Sequence, residues 1–390
     1  MELAIGSKYA VADITVAVDK TGQEHLLVVI KQSWLIGANG KPPTPTKAVP
    51  LEYADLHVGE PGLSPPLYEC DFVLKKNRCD VLFNATAYAP DDQPLTYLAA
   101  GYRIDTHQKA VRIVGPRFWK KALIGIEASD PKPFTAMPLH YGLAFGGVRP
   151  KKKAANGDQA LFDTYEANPV GTGYAATQSD PELVGMPLPC LEPFDPDIGP
   201  PDSPSAAYPA VALSAVARHW LPRRQYGGTY DAQWKRDVFP FLPEDFDERF
   251  NQSAPEDQQI PFPRGGEQVT LMNLMRGRRE VSFKLPKLTN MPVRVLMRNY
   301  TVQQPQVVAD TLYFEPDRER FSVVWRASVP IRRGFKDLQT IAVGGICKNW
   351  WEAKTRGAEG CANCAEKRAT AGPAPAEEEC EEAPTTGASA

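Results

Sequence analysis

Apolar and polar residues alternate along much of the chain. Tyr102 and Ile104 alternate with Arg103 and Asp105, and Val111 and Ile113 flank Arg112. A period of two sends one face of a strand into a core and the other towards solvent. Residues 11–18 (VADITVAV) and 26–36 (LLVVIKQSWLI) are rich in β-branched side chains and flank the turn signal Asp19-Lys-Thr-Gly22, so they predict a hairpin. Further strands are predicted over 79–88, 95–104 and 110–115, with a turn at Pro90-Asp-Asp-Gln-Pro94. A second set follows at 269–274, 281–285, 292–302, 307–314 and 321–329. Its last pair is joined by the turn Glu315-Pro-Asp-Arg-Glu319. Leu312 and Phe314 share a face, as do Phe321, Val323 and Trp325. No segment of ten or more residues carries a strong 3.6-residue period.

Between the two sets, proline takes over. Fifteen of the 38 prolines fall in residues 180–263. Proline cannot donate to a β-ladder and stops helices, so this region is expected to be irregular, with at most short helical turns such as 210–219. The expected fold is mainly β: two antiparallel meander regions joined by a long Pro-rich irregular segment, with few short helices. We expect one β-rich unit over 1–356, divided into a first β region (1–135), a Pro- and aromatic-rich segment (136–265) and a second β region (266–356). From about Gly357 the chain turns to Ala, Glu, Thr, Gly and Pro without an aromatic residue. Such a segment buries too little to offset ordering entropy, so 357–390 is expected to be an acidic, disordered tail.

Charge refines this picture. The net charge is −3, but residues 357–390 hold seven Glu against Lys367 and Arg368, which leaves the body at +2. Neither value fits a nucleic-acid binder, which concentrates basic residues on one face. Lys151–Lys153, beside Asn156-Gly157, reads as a solvated loop. No stretch approaches the roughly 20 apolar residues that cross a bilayer. The N-terminus lacks the basic start and long apolar run of a signal peptide. A cytoplasmic protein without a membrane partner is the expectation. Seven cysteines, at 70, 79, 190, 347, 361, 364 and 380, make an odd set that does not suit a secreted disulfide scaffold. Cys361-Ala-Asn-Cys364 lacks the second pair that a structural zinc site needs, so the tail cysteines read as unstructured thiols.

The chain carries no GxSxG elbow, Walker loop, HExxH or EF-hand loop. Gly171-Thr-Gly173-Tyr-Ala-Ala176 matches GxGxxA in letters, but it follows Asn168-Pro169-Val170 and not a strand. His140 and His219 each neighbour an aromatic residue, and neither has a nucleophile and orienting acid in view. A packed, hydrogen-bonded histidine explains each. Asp245, Asp247 and Glu248 could bind a hard cation or act as paired carboxylates. A short, acid-headed helical turn that buries Phe246 and Phe250 explains the same residues. We therefore assign no catalytic, cofactor or metal residue.

Residues 218–251 hold eight aromatic and twelve charged residues. Aromatic rings supply packing that a Pro-rich segment cannot take from regular elements, and arginines can stack on them and pair with acids. Gly227-Gly228 permits a turn with positive φ. The expected object is a long ordered loop pinned across a β core, and loops of this length usually serve a function. Its candidate partner-binding or loop-scaffold residues are Trp220, Arg223, Arg224, Tyr226, Tyr230, Asp231, Trp234 and Asp245.

A series of short motifs runs in order through most of the chain. It begins with Asp80-Val-Leu, Ala87-Tyr-Ala-Pro90, Gly115-Pro-Arg-Phe-Trp119, Pro133-Phe-Thr-Ala-Met-Pro-Leu and Ala144-Phe-Gly-Gly147. Asn168-Pro-Val-Gly171, Gly173-Tyr174, Trp220-Leu-Pro-Arg223, Gly228-Thr-Tyr-Asp231, Trp234 and Leu242-Pro-Glu-Asp-Phe-Asp247 follow. It closes with Ala254-Pro-Glu-Asp-Gln258, Gly266-Glu267, Phe283-Lys-Leu-Pro286, Asp310-Thr-Leu312 and Trp325-Arg326. The series resembles a bacterial family of uncharacterised domains found beside type VI secretion genes, whose members act as adaptors or chaperones for toxic effectors. Tyr141-Gly142-Leu143 departs from the Tyr-Glu of that pattern, and Cys79 stands where Thr is common. The resemblance implies a binding protein and not an enzyme. Its partners would be an effector, or the effector's PAAR-containing segment, and the VgrG spike. A carboxylate-dependent hydrolase using Asp231, Asp245 or His219, and a structural component of the spike, are the alternatives.

Overall fold

The computed structural model describes residues 1–37, 40–150, 162–176, 179–205 and 207–357. The Lys151–Lys153 triplet, the cysteines at 361, 364 and 380, and all of the tail beyond Gly357 lie outside these residues. The fold is mainly β. The largest sheet has seven strands. Six run in the order Gln259–Ile260, Cys79–Phe83, Val308–Glu315, Arg320–Pro330, Glu24–Leu35 and Ala10–Val18, and Thr44–Thr46 adds to Glu24–Leu35. Its neighbours are antiparallel except for the parallel pair Cys79–Phe83 and Val308–Glu315. A five-stranded sheet runs Leu191–Pro193, His107–Val114, Tyr97–Ile104, Gln268–Met275 and Arg278–Lys284. A four-stranded sheet runs Glu2–Ile5, Leu338–Val343, Val293–Met297 and Val302–Gln303.

Both larger sheets draw strands from either side of the Pro-rich segment. Leu35↔Arg320 through His25↔Pro330 joins the first hairpin to the last, and Ile104↔Val269 joins the middle hairpins. A hairpin alone leaves two unpaired edges, and these partners satisfy them. One apolar cluster runs between the two sheets. Phe83 of the large sheet lies 4.8 Å from Tyr102 of the five-stranded sheet, tilted by 32°, and Phe321 stacks 5.4 Å from Phe283. Each such buried ring contributes about 1.5–3 kcal/mol of transfer free energy.

The opposite face of the large sheet is also covered. Leu27, Val29 and Val324 pack against Leu51 and Phe72, while Leu82 and Tyr313 pack against Ala215, Ala254 and Tyr68. The covering chain is irregular. Residues 210–219, expected to form a helical turn, run without regular structure, and 212–217 are buried. Their backbone groups are engaged elsewhere. Phe83 N donates to Leu213 O, Leu213 N to Leu139 O and Val216 N to Ser253 O, at 2.9–3.2 Å. A helix would have to break these bonds, so helical structure begins only at Leu221–Arg224. The strand expected over 292–302 stops at Met297, turns with Tyr300 at φ 64°, and resumes over Val302–Gln303.

Candidate functional site

The segment from Trp220 to Asn251 divides into a buried anchor and an exposed lobe. Trp220 is fully buried and meets Tyr141 edge-on at 5.4 Å. It precedes the helical turn Leu221–Arg224, with Pro222 where the missing N–H costs nothing. Arg223 is buried beneath that turn. Its Nη1 donates to Val216 O at 2.6 Å, and its Nε and Nη2 both donate to Phe250 O. Glu69 supplies the counter-charge, with Oε2 3.0 Å from Nη1. Arg224, one residue on, points outward to exposed Glu166 at 3.0 Å. Tyr226 lies beneath the Arg249 guanidinium, 4.1 Å from the ring centroid. Gly228 turns the chain at φ 83°, where a Cβ would meet Pro243 at 2.9 Å.

Beyond this turn the lobe closes on itself. Asp231 caps the helix Ala232–Asp237 by accepting from Trp234 N at 2.8 Å. Trp234 is the lobe's hub. Its Nε1 donates to Phe241 O at 2.9 Å, and its ring meets Tyr230 at 4.7 Å and Phe239 at 5.6 Å. The hub is half-buried, but the rings around it face solvent: Tyr230 is 56%, Phe239 65% and Phe241 46% exposed. Phe241 also packs on the hairpin turn at Gly22, where a Cβ would meet its ring at 3.2 Å. The lobe therefore stands beside the end of the edge strand Ala10–Val18.

Asp245 and Asp247 are each engaged by their own neighbours. Asp245 accepts from Thr229 N and Oγ1 at 2.9 and 2.7 Å, and these bonds hold its carboxyl below the usual range. Asp247 caps the 3₁₀ turn Glu248–Asn251 and pairs with Arg249 at 2.6 Å, which also lowers its carboxyl. The expected acid-headed turn is present, with Phe246 and Phe250 half-buried and 5.9 Å apart. His219 meets Trp220 edge-on, and burial lowers its pKa, with His57 and Arg224 acting in the same direction. His140 caps a 3₁₀ turn by accepting from Gly142 N, and burial lowers its pKa too. The GxGxxA match is a packing junction. Gly146 pairs with Gly173, and buried Asn168 donates to Tyr141 O and Phe145 O at 2.9 and 3.0 Å. Among the described residues, no group of three or more His, Cys, Asp or Glu is placed to hold a metal ion, and no helix is long and apolar enough to cross a membrane.

The sequence reading missed a buried ionic layer on the covered outer face of the large sheet. Asp80 is fully buried. It accepts from Lys76 Nζ, Gln252 Nε2, Ser253 N and Ser253 Oγ at 2.7–2.9 Å. Lys76 also donates to Thr311 Oγ1 at 2.9 Å. Arg326 pairs with Asp310, whose carboxyl is raised by burial, and donates to Asp71 O at 2.5 Å. Asp71 in turn pairs with Lys31 at 2.5 Å. A cavity of about 30 Å³ lies among these groups, room for a water or two. The layer fastens the chain of residues 69–76 and 252–253 to the sheet. Its signal in the sequence was a single acid inside each apolar run CDVLF and ADTLYF.

A family model described as an uncharacterized protein conserved in bacteria (DUF2169) matches residues 21–326. No curated protein and no solved structure matches the chain.

Proposed function

This chain belongs to that bacterial family, and we propose that it is a binding protein: an adaptor or chaperone of type VI secretion. In this reading it holds a toxic effector, or the effector's PAAR-containing segment, in the cytoplasm and passes it to the VgrG spike. The observation that carries the reading is the lobe, where Tyr230, Phe239 and Phe241 face solvent around the Trp234 hub on a base fastened by buried Arg223. Aromatic side chains dominate protein–protein hot spots, and a base that is already ordered lowers the entropy lost on binding. The ordered motif series, which resembles type VI accessory proteins, supports the choice of partner. Co-expression with the effector encoded beside this gene tests it. The effector should be more soluble and more efficiently secreted when this protein is present. Equal solubility and secretion without it would sink the reading.

A further inference from the structure

We infer that the edge strand Ala10–Val18 receives an extended segment of the bound client as an added β-strand. The inference rests on the binding reading above and names the contact within it. Among the described residues, Ala10–Val18 ends the seven-stranded sheet and pairs only with Glu24–Leu35. Antiparallel pairs alternate between hydrogen-bonded and non-bonded positions. Asp19 N donates to Gln23 O, which makes the odd-numbered positions the bonded ones. Ala10 N donates to Ser7 O and Ile14 N to Asp13 Oδ1, so the even-numbered groups point outward. Among the described residues, the N–H groups of Ala12 and Val16 and the carbonyls of Ala12, Ile14 and Val16 have no hydrogen-bond partner within the protein. A row of donors and acceptors at strand spacing is complemented by another strand's backbone.

Among the described residues, the other edges of the three larger sheets are short or charged, and Glu2–Ile5 is four residues long and opens on Glu2. Arg278–Lys284 is seven residues long but carries Arg278, Arg279, Glu280 and Lys284. Gln259–Ile260 and Val302–Gln303 are two residues each, and Leu191–Pro193 ends in proline. Short length, charge and proline are the usual guards against strand addition. Ala10–Val18 is nine residues long and carries one charge, Asp13. That carboxylate also accepts from the Tyr53 hydroxyl at 2.6 Å. Tyr53 is 65% exposed and stacks on Phe72, and Phe241 of the lobe sits on the turn at the strand's other end. Exposed rings therefore stand at the middle and at the end of an unguarded edge. The occupant they fit is an extended, β-branched segment whose backbone pairs with Ala12, Ile14 and Val16 while its side chains meet Tyr53 and the lobe.

Val16→Pro removes one outward N–H and no bond of the sheet, whereas Val16→Ala keeps that N–H. Both variants are co-expressed with the neighbouring effector. In parallel, hydrogen exchange of the wild-type amides of Ala12 and Val16 is measured with a synthetic nonapeptide of alternating valine and lysine, and with its fully backbone-N-methylated counterpart. The expected result is that Val16→Pro solubilises at least tenfold less effector than Val16→Ala. The unmethylated peptide alone should slow exchange at Ala12 and Val16 at least tenfold. If the wild type solubilises the effector and Val16→Pro does so equally, the edge inference is overturned while the binding reading stands. If the wild type does not solubilise the effector, the binding reading fails. In that case, or if Val16→Pro does not fold, the peptide result decides: selective protection upholds strand addition, and no protection or equal protection by both peptides overturns it.

Discussion

The Nε and Nη2 groups of Arg223 both donate to the carbonyl of Phe250, at 3.2 and 3.0 Å. One buried guanidinium thus joins the two ends of the excursion that carries the exposed lobe, while its Nη1 reaches Val216 O and Glu69. Removing it would leave those carbonyls unpaired and Glu69 with only a longer, 3.6 Å contact to Arg218. Breaking a buried pair costs about 3–5 kcal/mol, a large share of a domain's stability. Arg223→Ala should therefore lower the denaturant midpoint sharply or abolish soluble expression. Arg224→Ala, which loses only a surface pair with Glu166, should change stability by about 0–1 kcal/mol.

Gly146 has φ 150°, and a Cβ there would lie 2.1 Å from Asn168 O. Backbone blocks it, so no side chain can move aside. Gly146→Ala should cost several kcal/mol, or about as much as a severe core clash. Gly199 has open space around it and no positive φ, so Gly199→Ala should lie within about 0.5 kcal/mol of wild type. Urea titrations of the two variants test the contrast.

The first hairpin was legible because everything that sets it is local: alternating β-branched residues and an Asp–Gly turn between Ala10–Val18 and Glu24–Leu35. The assembly of sheets was not. Nothing near Val81 says that Leu312 will lie beside it, because that pairing is chosen by which edges remain open after the hairpins form. The candidate segment was found by its rings and charges, but its division was hidden. Arg223 and Arg224 are neighbours in sequence, and one helical turn sends the first into the body and the second into solvent. Trp220 and Trp234 differ in the same way: the first fills a site under the turn, the second holds a lobe whose Phe241 packs on Gly22.

Asp80 and Lys76 form a fully enclosed pair. Asp80→Asn keeps the shape but removes the carboxylate paired with the Lys76 ammonium, and should cost about 3–5 kcal/mol. Adding Lys76→Met should recover part of that loss, because a well-packed apolar group does not need the partner. A double-mutant cycle in guanidinium measures the coupling. Additive losses would mean that the two groups act independently.

Asp19 organises the hairpin turn beside the proposed edge. The Thr21 hydroxyl bonds its carboxylate; burial acts in the opposite direction, and His25 and the backbone N–H groups of Thr21 and Gln23 add further bonds. The result is a pKa lowered to about 2. A depressed carboxylate stabilises the fold above its unfolded-state value, near 4, and that contribution disappears as pH falls through the folded value. Asp19→Ala should thus be less stable than wild type from neutral pH down to about 4, and the gap should close between about 4 and 2. Denaturation midpoints taken across that range check the sign. A gap that widens on acidification would contradict it.

The lobe should behave as a separate, locally stabilised element. Trp234 supplies its indole bond to Phe241 O and two ring contacts, yet the body's core is complete without it. Trp234→Ala should leave the global denaturation midpoint within about 1 kcal/mol of wild type while exposing residues 229–242 to proteolysis, because local opening and global unfolding draw on different contacts. Phe239→Ala removes an exposed ring that meets Trp234 edge-on, so it should change stability by about 0.5 kcal/mol or less. In the effector co-expression assay the same substitution should cost about 1–2 kcal/mol of binding, a five- to thirty-fold loss, if this ring contacts the client. Limited proteolysis and affinity measurements on the two variants separate lobe order from client contact. A Phe239→Ala protein that binds as wild type would remove this ring from the interface.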